Sequence, residues 1–175
     1  ATNSGGPNFA YDLCVRKISR EQRNELDLSC WRVAYNGSEP IRHATLESFT
    51  ESFANCGFKA ESFRPTYGIA EATLLVTTSA QRTRPTSRMI DTTALASDRV
   101  SEVAQPNGSA VALVACGIPA SGTSVVIVDP HELVKRDPGQ VGEIWIDSPS
   151  VAQGYWRRPD ETARIFHARL ADTGE

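Results

Sequence analysis

No run of apolar residues in this chain approaches the roughly 20 that a bilayer-spanning helix needs, which excludes a helical membrane span. The four cysteines, Cys14, Cys30, Cys56 and Cys116, contain no CxxC pair, so neither a disulfide scaffold nor a zinc site is expected. That usage points to a reducing, cytoplasmic compartment. Histidine is scarce too: His43, His131 and His167 show neither ligand spacing nor a triad context, and read as surface or capping residues. Excess positive charge is also missing. A formal net charge of -3 and a pI near 5.7 argue against a phosphate-backbone binder, leaving Arg82, Arg84 and Arg88 as a local basic patch on a solvated loop. No nucleic-acid partner is expected. The N-terminus has neither an initiator Met nor the basic and apolar regions of a signal peptide, and Ala1-Thr2-Asn3 reads as the start of an excised piece.

What is present suits a globular fold. The 175 residues, 40% hydrophobic and 22% charged, suffice for one ordinary domain or two small lobes. Tyr11, Cys14, Val15 and Ile18 have helical spacing, and Ser19 with Gln22 forms a capping box for a second short helix. Cys30 to Tyr35 reads as a buried strand closed by a tight turn at Asn36-Gly37. After Pro40 a helix is expected with Leu46, Phe49 and Phe53 on one face, ending near Gly57. Lys59 to Phe63 reads as another strand, leading into a turn at Tyr67 and then a helix. Strand, helix, strand, helix over residues 28 to 75 predicts an α/β fold with a parallel sheet, whose ligands gather beyond the carboxyl ends of the strands.

Residues 77 to 110 turn to Thr, Ser, Arg, Pro and Gly with little periodicity, ending at Pro106-Asn107-Gly108. A loop of that length is functional, mobile or a linker between lobes. Ala110 to Ala115, Ser124 to Val128 and Val141 to Ile146 are β-rich runs that predict a small β-barrel-like lobe. Pro159-Asp160-Glu161-Thr162 then opens a helix carrying Ile165, Phe166 and Leu170.

The stretch Tyr67-Gly68-Ile69-Ala70-Glu71 combines three tools for a magnesium nucleotide. The Tyr face can stack on a purine, Gly lets the backbone approach a phosphate, and Glu offers a hard oxygen to a divalent cation. A strand end running into a helix start accounts for the same residues without any ligand.

Five ordered blocks resemble the adenylate-forming superfamily and, within it, the fatty acyl-AMP ligases. They are Ser4-Gly5-Gly6-Pro7-Asn8-Phe9-Ala10-Tyr11-Asp12-Leu13-Cys14; Tyr35-Asn36-Gly37-Ser38-Glu39-Pro40-Ile41; Tyr67-Gly68-Ile69-Ala70-Glu71-Ala72-Thr73-Leu74; Cys116-Gly117-Ile118-Pro119; and Gly142-Glu143-Ile144-Trp145-Ile146 with Val151-Ala152-Gln153-Gly154-Tyr155-Trp156 and Arg158-Pro159. The resemblance implies ATP-dependent activation of a fatty acid to an acyl-adenylate, and Mg²⁺ as cofactor. It implies transfer of the acyl group to an acyl carrier protein, or to the carrier domain of a polyketide or peptide synthase.

By the same resemblance Asn36, Gly37, Ser38 and Glu39 hold the adenine against Tyr67 and Gly68, and Glu71 is the catalytic Mg²⁺ ligand. Ala70 stands where many relatives carry a phosphate-binding Thr, so that contact is not carried over. Phe9, Ala10 and Tyr11 would border the acyl channel, although their spacing is equally that of core residues.

The implied layout is an adenylation subdomain over residues 1–76, a ligase-type insertion over 77–112 that restrains a mobile C-terminal domain, and the β-rich lobe with the start of a following helix over 113–175. The phosphate loop would lie upstream of Ala1, and the ribose-binding Asp and catalytic Lys downstream of Glu175, so that this fragment alone would be inactive. An acyl-CoA synthetase fragment, or a noncatalytic binding module on the same scaffold, are the alternative readings.

Overall fold

Three parallel strands form the framework of the first part of the chain, and the residues between them supply the helices that parallel pairing requires. In a computed structural model describing residues 1–80, 82–104 and 108–174, the element order is β1 (Asn3–Pro7), α1 (Asn8–Lys17), α2 (Arg20–Asn24), β2 (Val33–Gly37), α3 (His43–Phe53), β3 (Phe63–Gly68) and β4 (Leu75–Thr78). There follow β5 (Ser87–Asp91), α4 (Thr92–Leu95), β6 (Ala110–Val114), β7 (Ile118–Pro119), β8 (Ser124–Val128), β9 (Glu143–Asp147) and α5 (Pro159–Phe166). The chain divides into unit 1, residues 1–68, 77–89 and 112–118, and unit 2, residues 69–76, 90–111 and 119–175.

In unit 1, β1 pairs in parallel with β2 from Asn3 opposite Val33 to Pro7 opposite Gly37. β2 pairs in parallel with β3 from Ala34 opposite Phe63 to Asn36 opposite Pro65. The sheet order continues β1-β2-β3-β4-β7, and β4 and β7 are each divided by the unit boundary. Helices α1 and α3 pack together on these strands around six rings: Tyr11, Trp31, Phe49, Phe53, Phe58 and Phe63. Phe49 is their hub, with centroids at 4.4 Å from Phe53, 4.9 Å from Phe58 and 5.0 Å from Tyr11. Most of these pairs meet edge to face, the arrangement that ring quadrupoles favour.

Several sequence expectations hold. The Ser19 hydroxyl accepts the Gln22 N–H while the Gln22 side chain accepts the Ser19 N–H, completing the capping box of α2. Leu46, Phe49 and Phe53 share the buried face of α3, and a 3₁₀ turn over Ala54–Cys56 carries the chain to Gly57. The four cysteines are free. Among the described residues no helix is long and apolar enough to cross a membrane.

Other elements differ, each for a local reason. β1 was not expected, because Asn3-Ser4-Gly5-Gly6-Pro7 has no apolar signal and is a strand only through its pairing with β2. β2 starts at Val33 instead of Cys30 and runs through Asn36-Gly37, so that pair is strand and not turn. Of the strand expected over 59–63 only Phe63 is strand: a 3₁₀ turn over Ala60–Ser62 precedes β3, where the buried Pro65 sits inside a strand that proline would ordinarily argue against. The helix expected after Tyr67 is a single 3₁₀ turn, Ala70–Ala72, followed by β4.

The segment read as an aperiodic loop holds β5, α4 and the start of β6, with β5 paired to β6. Of its expected end at Pro106-Asn107-Gly108, Pro106 and Asn107 lie outside the described residues. Beyond it, β8 and β9 form an antiparallel pair with Val126 opposite Trp145, and no closed barrel is found among the described residues. α5 starts with Pro159 and two acids, as a helix N-terminus favours. It stops at Phe166, so Leu170 is buried from the segment beyond the helix.

Phe49 is 2% exposed and touches every other ring of the cluster. Phe49→Ala is therefore expected to destabilise unit 1 by about 3–5 kcal/mol, the usual cost of a large buried ring. A urea titration followed by intrinsic fluorescence checks it; an unchanged midpoint would contradict the hub assignment.

Candidate functional site

The carboxyl ends of β1, β2 and β3 fall at Pro7, Gly37 and Gly68, so the parallel register delivers three loop starts to one edge of unit 1. Asn8, the first residue of α1, organises that edge while only 3% exposed. Its Oδ1 accepts the Arg42 N–H at 3.0 Å and its Nδ2 donates to Thr45 Oγ1 at 3.0 Å, which ties α1 to the start of α3. Asn36 approaches the same Oδ1 at 3.5 Å and is completely buried. Its side chain is enclosed in the support of the edge, behind the Gly37-Ser38-Glu39 backbone that the resemblance sets against the adenine.

Gly37 is required by proximity. A Cβ there would lie 2.5 Å from Thr66 Oγ1 and 3.0 Å from the Thr66 carbonyl oxygen, and Thr66 Oγ1 in turn donates to the Asn36 carbonyl. The turn itself comes at Ser38, whose φ of 66° is unusual for a residue with a side chain. Ser38 and Glu39 are exposed, and Tyr67 and Gly68 are half-buried at the end of β3. Glu39 Oε1 accepts the Phe9 N–H at 2.6 Å, placing a carboxylate over the N-terminal turn of α1, where the helix dipole favours it.

The candidate channel residues separate. Phe9 is 57% exposed, whereas Tyr11 is 4% exposed, sits in the ring cluster and donates its hydroxyl to the Tyr35 carbonyl. Ala10 and Tyr11 line a mainly apolar cavity of about 220 Å³ with Gly6, Cys14, Trp31 and Phe49. Burial pushes the Tyr11 phenol well above its ordinary range, with the neighbouring Cys14 adding to the shift.

Ala70 and Glu71 belong to unit 2, since the unit boundary falls between Gly68 and Ile69. They lie on the 3₁₀ turn Ala70–Ala72, Ala70 exposed and Glu71 half-buried. Residues 148–155 hold that turn. The Tyr155 hydroxyl donates to Glu71 Oε1, the Ala152 N–H donates to the Glu71 carbonyl at 2.8 Å, and Thr73 Oγ1 donates to the Ser150 carbonyl at 2.7 Å. The Tyr155 hydrogen bond, with a smaller backbone contribution, keeps the Glu71 carboxyl below its usual range and so ionised at neutral pH. The same bond raises the Tyr155 phenol, because a neutral hydroxyl is the form that donates. Glu71 opens on a cavity of about 630 Å³ within unit 2, lined also by Ile69, Trp145, Val151 and Phe166.

A single ionised carboxylate suits Mg²⁺, which takes one or two carboxylates and draws its other ligands from water and substrate phosphates. Among the described residues there is no group of three or more His, Cys, Asp or Glu side chains that could hold a metal alone. The donor set therefore fits a cation that arrives with a phosphorylated ligand. Sequence reasoning assigned no role to Tyr155 or Thr73. Tyr155 lay in a quoted block, but its partner is 84 residues away, and nothing in the spacing links the two.

Residues 4–156 match the AMP-binding enzyme family. The chain is 46% identical over 176 aligned residues to the medium-chain-fatty-acid (acyl-carrier-protein) ligase of Moorena producens, covering 99% of this chain and 30% of that protein. It is 39% identical over 166 residues to the long-chain-fatty-acid AMP ligase of Mycolicibacterium smegmatis, covering 94% of this chain and 26% of that one. Among solved structures, the fatty acyl-adenylate ligase of Legionella pneumophila in complex with acyl adenylate and pyrophosphate superposes with a TM-score of 0.94 at 43% identity, over 100% of this chain and 30% of that one. The chain thus spans about 30% of the length of such relatives. Both the turn that carries Glu71 and the segment that carries Tyr155 lie inside the matched region, and the chain belongs to the AMP-binding enzyme family.

Proposed function

We propose that the protein carrying this chain activates a fatty acid with ATP to an acyl-adenylate and passes the acyl group to the phosphopantetheine thiol of a carrier protein. The observation that carries this reading is Glu71, an ionised carboxylate of the matched region that lines a cavity and is held by the Tyr155 hydroxyl. The relatives' names, fatty-acid ligases of acyl carrier protein and of AMP, supply the substrate class.

In the reaction a carboxylate oxygen of the fatty acid attacks the α-phosphorus, and the bond from that phosphorus to the bridging oxygen of pyrophosphate breaks. No proton needs to move, so binding and positioning are the protein's principal tasks. The exposed turn at Ser38 and Glu39 and the close backbone at Gly37 present polar groups to the edge of the adenine, and the Tyr67 ring offers a face to stack on it. Glu71 would hold Mg²⁺, and the cation would supply positive charge to the phosphate oxygens. Ala10 and Tyr11 border the apolar space for the acyl chain. Residues 77–112 act as the insertion that biases transfer toward a carrier thiol over coenzyme A.

Three outcomes are expected in the full-length protein. Glu71→Gln, which keeps the shape and removes the charge, lowers ATP–pyrophosphate exchange at limiting Mg²⁺ at least about tenfold without shifting the melting temperature; unchanged exchange would remove Glu71 from the site. Tyr67→Ala raises the KM for ATP about tenfold, in line with the roughly 1–3 kcal/mol of a base–aromatic stack, while Tyr67→Phe retains wild-type KM. With ATP and a fatty acid, a phosphopantetheinylated carrier is acylated and coenzyme A is not; efficient acyl-CoA formation would overturn the carrier assignment.

A further inference from the structure

We propose that Tyr155 is a positioning residue for the Glu71 carboxylate, fixing the direction in which that group meets a cation. The proposal rests on the reading of Glu71 as the Mg²⁺ ligand. Its grounds are geometric and lie wholly within unit 2.

Two of the three bonds between residues 148–155 and the Glu71 turn fix backbone. The Ala152 N–H holds the Glu71 carbonyl, and Thr73 Oγ1 holds the Ser150 carbonyl. Thr73 has φ 68° and ψ -54°, and the Leu74 N–H donates to the Ala72 carbonyl at 2.8 Å. That is a γ-turn of the rare, strained hand, and it is centred on a β-branched residue. A conformation of this kind persists only where neighbouring contacts impose it, and the Thr73 side-chain bond is such a contact. The backbone below Glu71 is therefore set before its side chain is considered.

The third bond sets the side chain. A carboxylate on two methylenes rotates freely in water, but the Tyr155 hydroxyl takes one lone-pair direction of Oε1 and stops that rotation. Tyr155 is itself held by α5. Its N–H donates to Thr162 Oγ1 at 2.9 Å, and its ring meets the edge of Phe166 at 5.1 Å. Gly154, with φ 136°, makes this approach possible: a Cβ there would lie 2.2 Å from Thr162 Cγ2. Helix α5 thus locates Tyr155, and Tyr155 orients Glu71, as outer-shell hydrogen bonds orient metal-binding side chains elsewhere.

The test compares wild type, Tyr155→Phe, Glu71→Gln and the double variant of the full-length protein. Calorimetry reads binding of a non-hydrolysable ATP analogue with and without Mg²⁺, and ATP–pyrophosphate exchange is titrated with Mg²⁺. Tyr155→Phe keeps the ring against Phe166 and removes only the hydroxyl. It is expected to raise the half-saturating Mg²⁺ concentration about tenfold, with metal-free analogue binding and melting temperature as in wild type. In the double variant, Tyr155→Phe is expected to add nothing to the effect of Glu71→Gln, because its action passes through that carboxylate. A wild-type Mg²⁺ requirement in Tyr155→Phe, or equal losses with and without metal, would overturn the positioning role. A wild-type Mg²⁺ requirement in Glu71→Gln would instead overturn the reading of Glu71 on which the proposal stands.

Discussion

The packing of one ring, Phe49, is the constraint on which unit 1 depends. It projects from α3 into contact with Tyr11 of α1 and Phe63 of β3, so a single side chain holds two crossover helices against the parallel strands. The register of those strands aligns their carboxyl ends, and that alignment brings Asn8, Gly37, Ser38 and Tyr67 to one edge. Polar chemistry at the edge is therefore a product of apolar packing behind it. Tyr11 joins the two levels, its ring in the cluster and its hydroxyl on the Tyr35 carbonyl.

Elements whose own side chains carry the signal were legible in the sequence. The capping box at Ser19, the buried stripe of α3, the β-branched run of β8 and the proline-led start of α5 need only local information. Elements defined by a partner were not. β1 is Gly-rich and exists through β2, and Pro65 hid the continuation of β3 because a proline inside a paired strand contradicts its local preference. The same division runs through the site. Tyr67 to Glu71 could be picked out as a contiguous group of useful residue types, whereas the support of Glu71 by Tyr155 is a tertiary fact with no sequence period behind it. Asn36 is the converse case: the family resemblance placed it with the nucleotide-binding turn, and in the structure its side chain is enclosed in the support of the edge.

The residues proposed to hold the nucleotide are secured by two independent sets of contacts. Gly37, Ser38, Glu39 and Tyr67 are carried by the parallel strands of unit 1, while Glu71 is carried by a short turn of unit 2 that residues 150–155 hold. The two sets answer to different physical demands. A base is recognised by shape and hydrogen bonding, the task proposed for the strand edge, and a hard cation needs a carboxylate of fixed direction, the task proposed for Glu71 with Tyr155.

The enclosure of Asn36 has a chemical consequence for the lifetime of the protein. Asn-Gly pairs age fast in open chains, because the glycine nitrogen attacks the asparagine amide, expels ammonia and leaves a succinimide that opens to aspartate or isoaspartate. The ring closure needs a bent backbone, and opening the succinimide needs water. Asn36-Gly37 has neither: both residues lie in an extended strand paired to β1, with Asn36 inaccessible to solvent. Isoaspartate at position 36 would thus accumulate as a clock of the time β2 has spent unpaired.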